Sequence, residues 1–439
     1  MCVCTSDVDF ARQLRAGNTL PITIRGMNTG DTAWLLISAG LVMLMTPALA
    51  LFYGGMVQGK NVLSTFMHSF FSLGLVTVQF ALIGYTLCFG SSWHGVIGGL
   101  DFLGLDGVGT EAAGAANAAA SPTVPHLAFM IYQCMFAVIA PALISGAYAE
   151  RMRFSAYAIF TVAWATLVYD PIAHWSWAPG GWLMQMGAID FAGGTVVHLS
   201  SGVSALVIAL VLGKRKGYPH TRHPPHDLTM TVVGAGILWF GWFGFNAGSA
   251  SLSDGRAALA LVNTHLAAAA GALTWCLVEG ARIKKATMLG VASGLVAGLV
   301  AITPAAGYVS PMAALFIGVV AGAVCYGAVL MKSRLGYDDA LDAFGVHGVG
   351  GATGALLTGV FARGIYNNDV GGGLTLLGKQ ATAIGAAAAW SAVVTFILLK
   401  AIDAVVGLRV DPEIEHDGLD GALHGESAYG GPGSVAHGS

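Results

Sequence analysis

Charge is what this sequence has least of. Only 10% of its 439 residues are Asp, Glu, Lys or Arg, against 55% hydrophobic, and the mean hydropathy is +0.70. A water-exposed domain needs about 25% charged residues to solvate its surface. A soluble globular chain is therefore excluded, and most of the surface must face lipid or the protein itself. No large basic block accompanies the net charge of −3, which leaves nucleic acid without an electrostatic footprint. Cysteine is sparse as well. Cys88, Cys134, Cys276 and Cys325 lie far apart in apolar runs, without metal-ligand spacing, and read as small packing residues. Cys2 and Cys4 sit in a polar terminus, where metal binding or lipidation is the minor alternative. No nucleotide, metal or catalytic-triad motif occurs, so neither an enzyme nor a cofactor is expected. Residues 1–26 contain Arg12, Arg15 and Arg25 but no apolar stretch, so they are not a signal peptide. The expectation is that translation starts at Met27, which mass spectrometry of the intact N-terminus would test.

Glycine, by contrast, is abundant at 62 residues, a composition suited to membrane helices whose backbones approach closely. Apolar stretches of about 17–25 residues are long enough to cross a bilayer. Eleven such stretches occur, near 33–53, 62–89, 127–148, 154–174, 193–213, 229–249, 256–278, 287–306, 312–331, 345–362 and 378–402. The tenth is the weakest, being Gly-rich and interrupted by His347. The implied organisation is a polar N-terminal extension (1–30), an all-α integral membrane domain of eleven helices (31–406) and a polar tail (407–439). Basic residues gather in one set of loops: Lys60; Arg151 and Arg153; Lys214, Arg215, Lys216 and Arg222; Arg282, Lys284 and Lys285; Lys332 and Arg334. Their alternation is imperfect at this level because short loops blur at their edges. Arg256, Arg363 and Lys379 are exceptions. The positive-inside rule makes the basic set cytoplasmic, with the N-terminus outside and the C-terminus inside.

A weak duplication runs through the chain. The fifth and tenth spans each carry a histidine preceded by an aspartate, Asp190 before His198 and Asp342 before His347. The third and eighth carry Pro141 and Pro304. Spans five apart run in opposite directions, so the pattern is that of an inverted 5+5 repeat plus one extra helix, an architecture whose pathway lies between the halves. An ionisable group inside a span points to function by default. His198 lies about 12 Å deeper than Asp190 at 1.5 Å per residue, and His347 enters from the other side. Two such imidazoles sharing a hydrogen bond line a narrow path and pass a proton near neutral pH; the plainer alternative is two satisfied core histidines. For the aspartates the plainer role is helix N-capping, with the Asp190 charge also favouring a cation near the outer mouth.

Aromatic residues supply the third cluster. Trp177, Phe136 and the run Gly241-Trp242-Phe243-Gly244-Phe245-Asn246-Ala247-Gly248-Ser249 fall near outer span ends. A ring face attracts a compact cation by about 0.5–2 kcal/mol, most when water is excluded; an interfacial aromatic belt is the bland alternative. The small residues around Trp242 and Phe245 leave room for either another backbone or a solute. Together these features suggest capture of a small cation and passage through a tight apolar channel. A bare ammonium ion would lose its hydration there, whereas release of a proton leaves a small neutral amine. K⁺ has no proton to give up.

These motifs resemble the ammonium transporter (Amt) family of the Amt/Mep/Rh superfamily, over about Asp31 to Tyr429. The runs that carry the likeness are Phe52-Tyr53-Gly54-Gly55 with Gly59-Lys60-Asn61-Val62, Glu150 to Ser155, Asp190 to His198, Gly241 to Ser249, Thr303-Pro304-Ala305 and Phe344 to Gly348. The resemblance implies a homotrimer in the cell membrane with one pore inside each subunit and no enzymatic activity. It implies an outer ammonium site at Trp177, Phe136 and Ser249, a phenyl gate at Phe136 and Phe245, twin histidines at His198 and His347, and an outer-site aspartate at Asp190. Gln133, Trp242 and Thr303 match residues near that vestibule. Net charge movement, as ammonia with a relayed proton, is the implied mode. Between Trp177 and Asp190 the chain is one residue longer than usual and contains Pro179, so the outer loop is expected to differ.

From Gly407 onward, Gly407-Leu408-Arg409-Val410, Asp417 to Asp420 and His424 to Tyr429 resemble the family's cytoplasmic regulatory tail, which couples subunits and in many bacteria answers to a PII-type signal protein. Without the family it reads as a polar, Gly-rich terminus. The loop from Lys214 to Asp227 reads as solvated, with partner docking as the alternative. Two other functions compete with transport. An ammonium sensor would signal through its tail to a separate partner, and a Rh-like neutral gas channel would be expected to lack the Trp177 and Ser249 site.

Overall fold

A backbone amide in hydrocarbon finds no water to bond, so a chain this apolar must satisfy its amides within helices. The computed structural model describes residues 26–112, 122–221, 223–367 and 370–429. The expected start at Met27 and the Cys2 and Cys4 alternatives concern residues 1–25, which lie outside that set. Among the described residues ten helices are long and apolar enough to cross a membrane, and a shorter apolar helix brings the total to eleven. They are α1 (Thr29–Met56), α2 (Gly59–Phe89), α3 (His126–Tyr148), α4 (Phe154–Met186, with a break at 178–181), α5 (Gly194–Leu212) and α6 (Leu228–Ala250), followed by α7 (Gly255–Ile283), the short α8 (Met288–Ile302), α9 (Pro311–Leu335), α10 (Phe344–Phe361) and α11 (Leu374–Val406). A two-residue hairpin, β1 (Ser92–Trp93) with β2 (Ile97–Gly98), sits in the loop after α2. Several starts carry side-chain caps that satisfy free amides: Asn28 accepts from Gly30 and Asp31, Asp227 from Met230, and Asp254 from Arg256 and Ala257.

The helix ends sort the basic loops. Lys60, Arg151 and Arg153, Lys214 to Lys216, Lys284 and Lys285, and Lys332 and Arg334 all fall at the C-terminal ends of α1, α3, α5, α7 and α9. Their alternation is therefore complete. Arg256, Arg363 and Lys379 fall at the opposite ends. The proline correspondence is looser than expected: Pro141 lies inside α3, whereas Pro304 follows the end of α8, which stops at Ile302. The segment after it stays buried and packs onto the start of α5, with the Pro304 carbonyl accepting from the Phe191 amide at 3.2 Å.

Small residues on α6 serve another backbone, not a solute. A Cβ on Gly244 would lie 2.6 Å from Leu41 Cβ and 2.9 Å from the Ser38 carbonyl, and one on Gly248 2.5 Å from Ser38 Cβ. α1 fills that groove. Of the four cysteines expected as packing residues, Cys88, Cys134 and Cys325 are buried and Cys276 is half-buried, and all four are free.

On the basic face a buried ion cluster ties four loops together. Arg215 pairs with Glu150 and with Asp338, each at 2.8 Å, and all three are nearly inaccessible. Glu150 also accepts from the Gln58 amide and Asn61 Nδ2, both at 2.9 Å. Arg151 donates to the Asp338 carbonyl at 2.6 Å. Burial alone would raise both carboxyl groups, but the Arg215 guanidinium outweighs it and holds Glu150 and Asp338 below their ordinary values. The tail lies across this face. Val410 N–H donates to Arg151 and Arg409 reaches the Leu212 carbonyl at 2.8 Å. Asp420 accepts from the Leu63 and Ser64 amides at 3.0 and 2.8 Å, capping the first turns of α2 from elsewhere in the chain.

Removing one partner from a buried pair strands the others. Arg215→Met is expected to destabilise the detergent-solubilised protein by about 3–5 kcal/mol. Arg153→Met, which breaks the exposed Arg153–Asp411 pair, should change it by about 1 kcal/mol or less. Equal thermal shifts would contradict this account. Because both carboxyl pKa values are depressed, the cluster contributes fully above pH ~4 and loses strength only as pH falls below it.

Candidate functional site

α5 and α10 both begin with a wide, π-type turn, Gly194–Leu199 and Phe344–Gly348, and each turn carries its histidine. Such turns interrupt regular helical bonding and recur at functional sites. The two helices cross with reciprocal contacts. Gly202, four residues after His198, has room for no side chain because the Gly348 amide nitrogen lies 2.1 Å from where its Cβ would be. Gly351, four residues after His347, meets the Gly194 carbonyl at 2.6 Å and the Leu199 amide nitrogen at 2.9 Å in the same way. Each histidine turn is thus held by the glycine of the other helix, as an inverted repeat requires. The imidazoles are neighbours, with ring centroids 5.4 Å apart and planes 20° apart.

The hydrogen bond expected between the rings is not made. Neither nitrogen of His198, nor Nδ1 of His347, has a partner among the described residues. The chamber between them measures about 10 Å³ and is otherwise apolar, lined by Leu49, Ile139, Leu143, Trp242, Phe245 and Val296 among others. That is room for about one water-sized molecule. A buried, unbonded imidazole nitrogen costs about 1–3 kcal/mol unless a small polar solute bonds to it.

A stacked phenyl pair closes one side of the chamber. Phe136 and Phe245 lie 4.1 Å apart at 22°, and Phe245 also packs 5.8 Å from His198. Beyond the pair opens a vestibule of about 470 Å³ whose wall includes Gln133, Phe136, Trp177, Asp190 and Ser249. Trp177 meets Phe136 edge to face at 5.9 Å. Its Nε1–H donates to the Asp190 carbonyl at 2.9 Å, which fixes the indole against the turn before α5. The Tyr132 hydroxyl lies 2.8 Å from the Phe245 carbonyl and 3.1 Å from Ser249 Oγ, so it holds the opposite wall. On the far side of His347 a second cavity of about 40 Å³, lined by Tyr53 and Asp342, opens toward the basic face.

Asp190 fulfils the capping role in full. Its carboxylate accepts from the Gly193, Gly194, Thr195 and Val196 amides at 2.8–3.1 Å. Asp342 does not. It pairs with Lys332, and the cap of the second histidine turn is Asp339, which accepts from the Phe344 amide at 2.8 Å. Asp339 precedes His347 by eight residues, as Asp190 precedes His198, so it is the true repeat partner. Gln133 lies in the vestibule wall as expected, with Oε1 unbonded among the described residues. Trp242 and Thr303 do not. The Trp242 ring stacks on His198 at 5.3 Å, inside the chamber, and its Nε1–H donates to Thr303 Oγ1 at 3.0 Å. Sequence reading missed Tyr132 and the apolar chamber wall, because nothing in sequence separates pore-lining leucine from core leucine. It also left Arg256, a vestibule residue, as a mere exception among loop charges.

Gly202→Ala is expected to force the crossing apart, lowering stability by about 1–3 kcal/mol and widening the imidazole separation in a cryo-EM map. An unchanged separation and melting temperature would count against the reciprocal contact. Asp190→Ala leaves four buried amides without an acceptor and should destabilise far more than Asp342→Ala, at about 1–3 kcal/mol per unsatisfied group as an upper scale.

Comparison with known proteins follows the same geometry. The Ammonium Transporter Family model matches residues 33–429. An ammonium transporter of Bacillus subtilis is 52% identical over 409 residues, 92% of this chain and 99% of that protein. The crystal structure of Saccharomyces cerevisiae Mep2 is 39% identical with a TM-score of 0.82, covering 90% of this chain and 93% of that one. A structure described as a sensor Amt protein is 31% identical with a TM-score of 0.83, covering 90% and 98%. With eleven helices, a twin-histidine chamber and these likenesses, the chain belongs to the ammonium transporter family of multi-pass membrane proteins, which are transporters and not enzymes.

Proposed function

We propose that the protein takes up ammonium across the cell membrane, with the vestibule outside and the tail-bearing face in the cytoplasm. NH₄⁺ is held in the vestibule by the faces of Trp177 and Phe136 and by the Ser249 hydroxyl, where cation–π attraction is strengthened by partial loss of water. An N–H bond of the ammonium ion breaks, nitrogen keeps the electron pair, the proton passes to the neutral imidazole of His198, and neutral NH₃ passes the Phe136–Phe245 gate into the chamber. A neutral imidazole accepts a proton at one ring nitrogen and releases one from the other, so His198 and His347 relay the charge separately. The observation that carries the reading is the pair of buried histidines with unbonded nitrogens facing a chamber for one small molecule. K⁺ would have to enter that chamber stripped of water and with no counter-ion.

A homotrimer with one pore per subunit is part of the same reading, its lipid- and partner-facing surface being the exposed apolar residues such as Leu273, Leu277 and Val393. Residues 407–439 act as a regulatory tail. The docking of its described part, as far as Tyr429, onto loops 58–64, 149–153 and 212–216 gives a cytoplasmic PII-type protein a surface to displace. A sensor reading is favoured by one observation, the 31% identity to a sensor Amt protein over 98% of that chain.

Proteoliposomes on a supported membrane separate these readings. An ammonium pulse should give a current in the intact protein, and a potassium pulse none. His198→Ala combined with His347→Ala should lower the ammonium current at least ten-fold while the folded protein is recovered in full. An undiminished current in the double variant removes the relay, and no current from the intact protein favours the sensor.

A further inference from the structure

The vestibule that receives a cation also contains one. Arg256, in the first turn of α7, is half-buried and lines the same cavity as Phe136, Trp177 and Ser249. Its backbone amide is capped by Asp254 at 2.9 Å, but among the described residues its guanidinium has neither an ion pair nor a hydrogen bond. It sits close enough to the Tyr308 phenol to act on it: burial pushes that hydroxyl up to about 12, and the guanidinium pulls the other way. Among the described lining residues Asp190 is the one carboxylate, and both its oxygens are bonded to backbone amides at the positive end of α5. The Asp190 carboxylate is thus tied to four amides, while the Arg256 guanidinium has no such partner among the described residues, and of the two charges acting on the Tyr308 hydroxyl that of Arg256 is the larger.

We propose that Arg256 sets the affinity of the outer site, its fixed positive charge repelling cations and keeping ammonium capture weaker than the aromatic site alone would make it. A divalent cation is repelled twice as strongly, so the same residue adds charge selectivity. The inference rests on the vestibule being the recruitment site. Across a partly hydrated cavity, one unit charge changes the local concentration of a univalent cation by about two- to five-fold. The effect is one of long-range charge, so salt must weaken it.

The test measures initial ammonium currents of the full-length protein in proteoliposomes, at about 10 mM and about 500 mM background salt. Arg256→Gln should lower KM about two- to five-fold at low salt with the maximal current within about two-fold, and Arg256→Glu should lower it further. Both shifts should shrink at high salt. Lys400→Gln, which removes the same charge from the far end of α11, should leave KM where it was. Trp177→Leu, measured alongside, should raise KM. A flat KM for Trp177→Leu would defeat the recruitment reading itself. A flat or raised KM for Arg256→Gln, or a shift that salt does not weaken, overturns the inference whatever Trp177→Leu does.

Discussion

Two backbones touching at glycine govern most of what this molecule can do. Gly202 against His347–Gly348, and Gly351 against His198–Leu199, bring α5 and α10 closer than any side chain would permit. Without water or a hydrophobic drive between helices in lipid, such close packing is a main source of association. The contact sets where the wide turns fall, and hence where the imidazoles stand. Phe245 and Trp242 then pack onto that pair, so the phenyl pair and the chamber wall inherit their positions from the crossing.

Polar groups follow a different rule at the basic face. Arg215, Glu150 and Asp338 come from three loops, and each loop is connected to helices that the other two do not share. A buried ion triad contributes little net stability over apolar packing, but it allows only one arrangement of those loops. The tail reads that arrangement through backbone contacts at Arg151, Leu212 and the amides of Leu63 and Ser64. Loop geometry and tail docking are therefore one structural unit, and a partner that lifted the tail would uncap α2 in the same act.

Much of this was legible in the chain. Span number and position follow from length and apolarity, and the observed helices start and stop within a few residues of the expected ones in most cases. The histidines stood out because ionisable residues in apolar runs are rare. The misreadings have physical causes. Residues 338–342 contain three aspartates, and the nearest to His347 was taken as the cap, although only Asp339 lies at the eight-residue spacing that lets a carboxylate reach the amides of the turn. Trp242 and Phe245 are three residues apart on one helix face, so sequence could not say that Phe245 stacks on Phe136 and Trp242 bonds to Thr303 inside the chamber. Pro304 marks the place where α8 ends early, and hydropathy does not register an unwound segment that remains buried. The shared hydrogen bond between imidazoles depends on ring orientation, which a crossing angle sets and a spacing does not.

Below the vestibule each charged group on the path is bonded where it stands, and this bears on what can enter the chamber. Asp190 is bonded to four amides, Asp339 to the amides of the second turn, and Asp342 to Lys332. Between the phenyl pair and the inner cavity no carboxylate remains among the described residues to accompany a cation, and the lining offers ring faces and single imidazole nitrogens. An ion entering a 10 Å³ chamber must leave its hydration shell behind and receives one or two hydrogen bonds in return, far less than the several kcal/mol or more that a desolvated charge requires. A polar molecule without charge loses little by the same exchange, because one good hydrogen bond to an imidazole nitrogen replaces one to water. Selectivity in such a site comes from which solutes can become neutral at its entrance, and the size of the chamber then needs only to exclude anything that keeps its water.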